Sequence, residues 1–256
     1  MKSYLTHLEC TACGDTFSTE EAHGTCQACG KVLYARYDLE NARKELDRDN
    51  LASRPPSMWR YFELIPVRHQ ENVLSLGEGM TPLVHARTLG VQLGCHQLYI
   101  KDESGNPTGS FKARALSAAV SKAKELGLTR LTLPSAGNAG GAMAAYCALG
   151  GMEANVFMPK DAPLGNQQEC IVFGARLTLV DGLIGDAGRL SREQAGQNGL
   201  FDLSTLQEPY RVEGKKTMGY ELAEQLGWRT PDVIVYPTGG GTGIVGIWKA
   251  FKEMMG

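Results

Sequence analysis

Three times along this chain a short apolar run ends in a glycine-rich turn that opens a helical pattern. The first is Gln97-Leu-Tyr-Ile-Lys101, then Ser104-Gly-Asn-Pro-Thr-Gly-Ser-Phe-Lys112, then a helix through Ala113, Leu116, Ala119, Val120 and Ala123 to Gly127. The second is Leu131-Thr-Leu133, then Pro134-Ser-Ala-Gly-Asn-Ala-Gly-Gly141, with a helix predicted over 142–149. The third is Asp232-Val-Ile-Val-Tyr236, then Pro237-Thr-Gly-Gly-Gly-Thr-Gly243, then a helix through Ile244, Val245, Ile247, Trp248 and Phe251. Apolar runs of that length predict strands, and the same reading predicts strands over 154–158 and 176–180. Further helices are predicted over 166–173, 186–197 and 214–226. Strands alternating with helices imply an α/β chain with a mostly parallel sheet. Ligands of such sheets lie at the carboxyl ends of the strands. Lys112, Asn138 and the loop at Gly239 all follow predicted strands closely, so one cleft can gather them.

Each turn carries its own chemistry. Ser110 can cap the helix after the first turn, which puts Lys112 in the opening turn. A cation there opposes the helix dipole by a few tenths to ~1 kcal/mol. A lysine whose ammonium is disfavoured can condense with an aldehyde as a neutral amine. An ordinary surface lysine at a loop–helix junction is the plain alternative. In the third turn, Gly239, Gly240, Gly241 and Gly243 leave backbone N–H groups free to converge on a phosphate at a helix start. Thr242 adds a hydroxyl. The loop is no Walker A sequence, because it lacks the Lys-Ser/Thr ending. Gly241-Thr-Gly-Ile-Val-Gly246 matches the dinucleotide pattern G-x-G-x-x-G, whose acidic partner would lie beyond Gly256; a tight turn of small residues explains it equally simply. In the second turn, Ser135 and the neighbouring N–H groups suit a carboxylate, and the Asn138 amide suits a phenolate oxygen.

Together the three segments resemble the pyridoxal-phosphate enzymes of fold type II, the tryptophan-synthase β family. Lys101-Asp-Glu-Ser-Gly-Asn-Pro-Thr-Gly-Ser-Phe-Lys112 is most similar to threonine synthase. So are Leu76-Gly-Glu-Gly-Met-Thr-Pro-Leu83, Glu208-Pro-Tyr-Arg-Val-Glu-Gly214 and Gly239-Gly-Gly-Thr-Gly-Ile-Val-Gly-Ile-Trp248. The resemblance implies a two-lobed α/β fold with parallel sheets and a lyase that turns O-phosphohomoserine and water into threonine and phosphate. It makes Lys112 the Schiff-base and proton-transfer residue. Asn138 would meet the cofactor's ring hydroxyl, and Gly239, Gly240, Gly241, Thr242 and Gly243 its phosphate. Ser135 and Gly137 would hold the substrate carboxylate, and Arg211 its phosphate.

The chain departs from that pattern before Arg211. Many threonine synthases carry Asn-Ser-x-Asn there, and here the places read Thr205-Leu206-Gln207-Glu208. Leu206 has no hydrogen-bonding side chain, and Glu208 would repel phosphate if it pointed inward. Ala139 replaces a threonine of some members. A serine or threonine dehydratase and a cysteate-type synthase are the related alternatives. A nicotinamide (NAD(P)) oxidoreductase using 241–246 would leave the Lys112 loop unexplained, and a non-catalytic fragment with a contact-making ribbon is the remaining reading. The family's chain continues past the last helix, where it supplies a partner for the pyridine nitrogen. The resemblance therefore describes a truncated copy, catalytically poor by itself, and is compatible with a homodimer.

The cysteines are an independent signal. Of seven, four form two pairs, Cys10-Thr-Ala-Cys13-Gly and Cys26-Gln-Ala-Cys29-Gly, with twelve residues between the pairs. The doubled C-x-x-C-G spacing predicts a structural zinc held by Cys10, Cys13, Cys26 and Cys29 in a ribbon over 1–36. A redox disulfide pair is the main alternative. His23 lies between the pairs, and His7, His69, His85 and His96 have no metal-ligand spacing. The catalytic α/β domain is expected over 37–256, entered through a polar helical stretch at 37–50 and a linker at 54–57. A net charge of -2 with no long basic run argues against nucleic acid as the main partner. There is no apolar signal core and no run of about 18 apolar residues, so neither export nor membrane insertion is predicted. An amino-acid substrate, pyridoxal phosphate, zinc and a cytoplasmic location are the expectations.

Overall fold

The computed structural model describes residues 1–255. Three antiparallel strands open the chain: β1 (Leu5–Cys10), β2 (Thr16–Phe17) and β3 (Leu33–Tyr37), in the order β2-β1-β3. The two cysteine turns are alike. Gly14 N donates to Cys10 O and Gly30 N to Cys26 O, and both glycines take the left-handed conformation, with φ of 79° and 68°. That conformation is available to glycine at no steric penalty, which explains the Gly after each pair. Leu8, Leu33 and Ala35 lie fully buried in one core with Leu116, Val120 and Leu131 of the α/β body.

Short helices α1 (Leu39–Glu45) and α2 (Arg48–Ser53) follow, each begun by an aspartate that accepts from the first-turn amides, Asp38 and Asp47. A 3₁₀ segment, Met58–Leu64, comes next and is wholly buried. The sequence reading had no element there. Met58, Trp59 and Phe62 pack with Ile65, Val67 and Ala118. Strands β4 (Leu83–His85) and β5 (Tyr99–Lys101) form a separate antiparallel pair around α3 (Arg87–Gln92).

The body is then regular. It comprises α4 (Lys112–Glu125), β6 (Arg130–Pro134), α5 (Asn138–Gly150), β7 (Glu153–Pro159), α6 (Leu164–Val172), β8 (Arg176–Val180), α7 (Ile184–Asn198), β9 (Phe201–Asp202), α8 (Tyr210–Gln225) and α9 (Thr242–Met255). Its four strands are parallel, ordered β8-β7-β6-β9, with Leu133 opposite Val156 and Val156 opposite Leu177. The strands predicted at 131–133, 154–158 and 176–180 are β6, β7 and β8. Helix α5 begins at Asn138 rather than at 142, so the predicted loop residues Asn138 to Gly141 are helical. Helix α8 begins at Tyr210 rather than at 214. Buried Glu208 is responsible, since its carboxylate accepts from the amides of Tyr210 and Arg211 and satisfies that helix start.

Helix α8 is buried along nearly its whole length although it carries Arg211, Glu213, Lys215, Lys216 and Glu221. Glycines let its neighbours approach. A Cβ on Gly214 would lie 2.0 Å from Arg114 O on α4, and one on Gly219 would lie 2.6 Å from Ala250 Cβ on α9. Most of its charges are paired. Arg114 grips Glu221 on one side and Glu103 on the other, and Lys101 Nζ donates to Glu221 at 2.8 Å. Glu213 and Glu253 share Lys216 and Lys249.

The strand predicted at 232–236 is a correction. That segment joins no ladder among the described residues, and Val233 and Val235 are 78% and 94% exposed. An apolar run becomes a strand only when a neighbour supplies the hydrogen bonds, and no described strand runs beside it.

Candidate functional site

The Lys112 loop is built from its own polar side chains. Asp102 accepts from the amide and hydroxyl of Ser104. Buried Asn106 receives Gly79 N on its carbonyl and gives its amide to Glu103. Thr108 and Gly109 then take left-handed φ of 58° and 63°, which reverses the chain into α4. Ser110 Oγ accepts from Lys112 N at 3.3 Å, and Phe111 occupies the cap position. Lys112 Nζ lies 4.3 Å from the centroid of the Phe111 ring and has no carboxylate at ion-pair distance among the described residues. Burial, and then the charge of Arg211, lowers its proton affinity below that of an ordinary lysine. The direction agrees with the sequence reading, but the cause is burial and Arg211 rather than the helix end alone.

One cavity of about 30 Å³ brings Lys112 together with Gly239, Gly240, Gly241, Thr242 and Gly243. Phe111, Thr205, Lys215 and Tyr236 complete its walls. Tyr236 packs edge-on against Phe111, with ring centroids 5.8 Å apart, and its hydroxyl lies against Gly243 with no hydrogen-bond partner. A Cβ on Gly243 would fall 1.9 Å from that hydroxyl.

Lys215 was not foreseen. It reaches the cavity from α8, where its Nζ donates to Thr242 Oγ1 at 2.6 Å. Burial, then the charges of Lys112 and Arg211, push it down to about 6. The sequence held a signal for it: Arg211 and Lys215 are four residues apart and so share a helix face.

Ser135, Gly137, Asn138 and Arg211 do not line this cavity. Ser135, Gly137 and Asn138 sit at the carboxyl end of β6, the strand flanked by β7 and β9. Ser135 Oγ accepts from Gly137 N and Gly140 N and donates to Gly137 O, so the serine closes its own loop. Asn138 Oδ1 accepts from Asn166 Nδ2 of α6 at 2.8 Å. Arg211 is 3% exposed. Its Nη1 donates to Leu203 O at 2.6 Å and reaches Thr205 Oγ1 at 3.5 Å, while Nε has no partner. Glu208 does not face a phosphate position but is engaged at the start of α8; burial raises it to about 7.

The residues suit a phosphate-bearing aldehyde cofactor. Glycines at the loop leave its backbone bare, and Lys112, Lys215 and Arg211 are basic groups with no carboxylate at ion-pair distance among the described residues. In the ribbon, Cys10, Cys13, Cys26 and Cys29 place their sulfurs within 4.8 Å of one another. The shortest separations are 3.4 Å (Cys10–Cys29) and 3.6 Å (Cys13–Cys26 and Cys13–Cys29). Four thiolates about 2.3 Å from a zinc ion would stand about 3.8 Å apart, so the donor set fits that metal. Backbone amides of Cys13 and Ala12 lower Cys10, while hydrogen bonds among the thiols raise Cys13 and Cys29, so these sulfurs titrate as one set. His23 lies outside the cluster and packs against Phe17. Cys147 and Cys170 are buried, and burial raises their thiols to about 12 and about 11.

A parallel α/β sheet with a half-buried lysine facing a glycine loop defines a pyridoxal-phosphate protein of fold type II. Solved structures agree. Maize serine racemase superposes with a TM-score of 0.61 and 25% identity over 67% of this chain and 52% of that one. Threonine deaminase isoform 2 from Solanum lycopersicum gives 0.60 and 26% over 68% and 47%. The profile of the family described as "Pyridoxal-phosphate dependent enzyme" matches residues 74–256, and the chain belongs to that family. Similar curated proteins include the threonine synthases of Methanocaldococcus jannaschii, 36% identical over 245 residues, and Methanosarcina acetivorans, 37% identical over 248. These alignments take in 95% and 96% of this chain and 60% of each relative, so the chain spans three-fifths of their length. Family membership favours a pyridoxal-phosphate loop over a dinucleotide site at 241–246. No helix among the described residues is long and apolar enough to cross a membrane.

Proposed function

We propose that this chain holds pyridoxal phosphate and acts as a threonine-synthase-like lyase on O-phosphohomoserine. The observation that carries the reading is the cavity in which Lys112 meets the glycine loop. When bound, the cofactor supplies the electron sink that acidifies the substrate's Cα proton. Lys112 would hold the cofactor's aldehyde carbon and serve as the base for that proton, and its lowered proton affinity suits the role. Gly239, Gly240, Gly241, Thr242 and Gly243 hold the phosphate, and Asn138 orients the ring through its hydroxyl. Ser135 and Gly137 bind the carboxylate, and Arg211 receives the substrate phosphate. Zinc on the four cysteines holds the ribbon at 1–36, and the 37–256 portion carries the chemistry. The location is the cytoplasm and the assembly a homodimer, both by likeness to threonine synthases.

A serine/threonine dehydratase is the second reading. It is favoured by Arg211 already being engaged with Leu203 O, and by the altered residues 205–208. Borohydride reduction of the protein incubated with pyridoxal phosphate, followed by peptide mapping, should label Lys112. A label on Lys101 or Lys215 instead would refute the assignment. Turnover on O-phosphohomoserine, phosphoserine, serine and threonine then separates the two readings.

A further inference from the structure

Four lysines are buried, and three of them have carboxylates. Lys122 meets Glu125 at 2.5 Å, Lys216 meets Glu253 at 3.0 Å and Lys249 meets Glu213 at 2.7 Å. Lys215 is the exception. It is 2% exposed, and its one hydrogen bond is to Thr242 Oγ1. No carboxylate stands at ion-pair distance among the described residues. The charges it feels most are positive, Lys112 and Arg211. Glu208 opposes them weakly, because its oxygens are engaged by the amides of Tyr210 and Arg211. The Phe111 ring lies 4.6 Å from Lys215 Nζ and 4.3 Å from Lys112 Nζ, so both amines border the same face of the cavity. An ammonium has three N–H groups, and a buried one with a single acceptor and no counter-ion is strongly unfavourable. Such a group is a candidate for a function that supplies the missing anion.

We propose that Lys215 is a phosphate ligand that neutralises the cofactor's phosphate in the Gly239–Gly243 loop, with Thr242 as its neighbour there. The hydrogen bond to Thr242 ties it to that loop, whereas Arg211 faces Leu203 and Thr205. The inference rests on the proposed function and adds a residue to it.

The test compares the wild-type chain with Lys215→Met, which keeps the apolar stem against Phe111, and with Lys215→Gln, which keeps a donor to Thr242 but no charge. Each is titrated with pyridoxal phosphate, with pyridoxal, which lacks the phosphate, and with inorganic phosphate, read by absorbance and by melting temperature. Both variants should bind pyridoxal phosphate at least about tenfold more weakly, a change of ~1.4 kcal/mol. They should bind pyridoxal as the wild type does, and inorganic phosphate should no longer raise their melting temperature. Without ligand, Lys215→Met should melt higher than the wild type, because it removes a buried amine that has one acceptor and no counter-ion; a lower melting temperature would make Lys215 a packing residue instead. Equal affinity of variants and wild type for pyridoxal phosphate, or equal losses on pyridoxal, would overturn the assignment. A wild type that takes up no pyridoxal phosphate overturns the proposed function instead, and the inorganic phosphate arm still decides whether Lys215 binds the anion.

Discussion

Arg211 and Lys215 project from one face of α8, and both are buried with no carboxylate at ion-pair distance among the described residues, yet their partners differ. Lys215 touches the glycine loop, while Arg211 holds Leu203 O beyond the end of β9. For Arg211 the decisive comparison is between phosphorylated and unphosphorylated substrates. A hydrogen bond to a charged group contributes roughly 1.5–3 kcal/mol. Arg211→Ala should therefore lower kcat/KM on O-phosphohomoserine at least about tenfold and leave serine or threonine turnover nearly unchanged. Equal losses on both would make Arg211 a structural tie to Leu203 and favour the dehydratase reading. Lys112 has the complementary expectation: Lys112→Ala should remove the borohydride-reducible bond while leaving non-covalent uptake of the cofactor measurable by equilibrium dialysis.

Helix α8 is the element on which the site depends, because it carries Arg211 and Lys215 and is itself held by buried charge pairs. Burial alone would raise Glu221, but Arg114 and Lys101 outweigh it and hold the carboxyl at about 2. Glu253 is likewise held at about 2 by Lys216 and Lys249 against its burial. A carboxyl whose folded value is depressed stabilises the fold fully above its unfolded value of 4.5. That contribution, on the order of 3 kcal/mol each, is lost as pH falls toward 2. Urea titrations should accordingly show stability dropping between about pH 4.5 and 2. Glu221→Gln should flatten part of that drop while costing roughly 3–5 kcal/mol at neutral pH, since it leaves Arg114 with Glu103 alone and takes the ion-pair partner from Lys101. Steric fit matters as much as charge. Gly214→Ala would push a methyl group against Arg114 O, 2.0 Å away, and should destabilise by about 1–3 kcal/mol or more. A melting temperature equal to wild type would show that α4 and α8 can part without penalty.

At the scale of the whole molecule, ribbon and body are joined through apolar packing. Leu8, Leu33 and Ala35 share a core with Leu116 and Leu131. Purified protein should contain one zinc per chain, with an apparent binding free energy of ~10–16 kcal/mol, as in zinc-finger peptides. Chelation should lower the melting temperature of the entire chain, not release the ribbon alone, because losing the ribbon uncovers that core. A zinc-free protein whose four thiols titrate freely would sink the metal assignment.

Local rules account for what could be read from the residues alone. Apolar runs bounded by glycine marked β6, β7 and β8, and the cysteine spacing marked four sulfurs that the fold does bring together. The order of motifs around Lys112, Asn138 and Gly239 pointed to the family. These signals span a few residues, so neighbours along the chain suffice to express them. The tertiary structure decided everything that depends on distant partners. It set the strand order β8-β7-β6-β9, buried a helix as charged as α8, left 232–236 without a ladder, and gave Glu208 to a helix start. It also placed Lys215 beside Thr242, 27 positions along the chain, with no carboxylate at ion-pair distance among the described residues. A side chain's local neighbours can suggest a helix face, but its counter-ion, its burial and hence its proton affinity come from whichever distant segment packs over it.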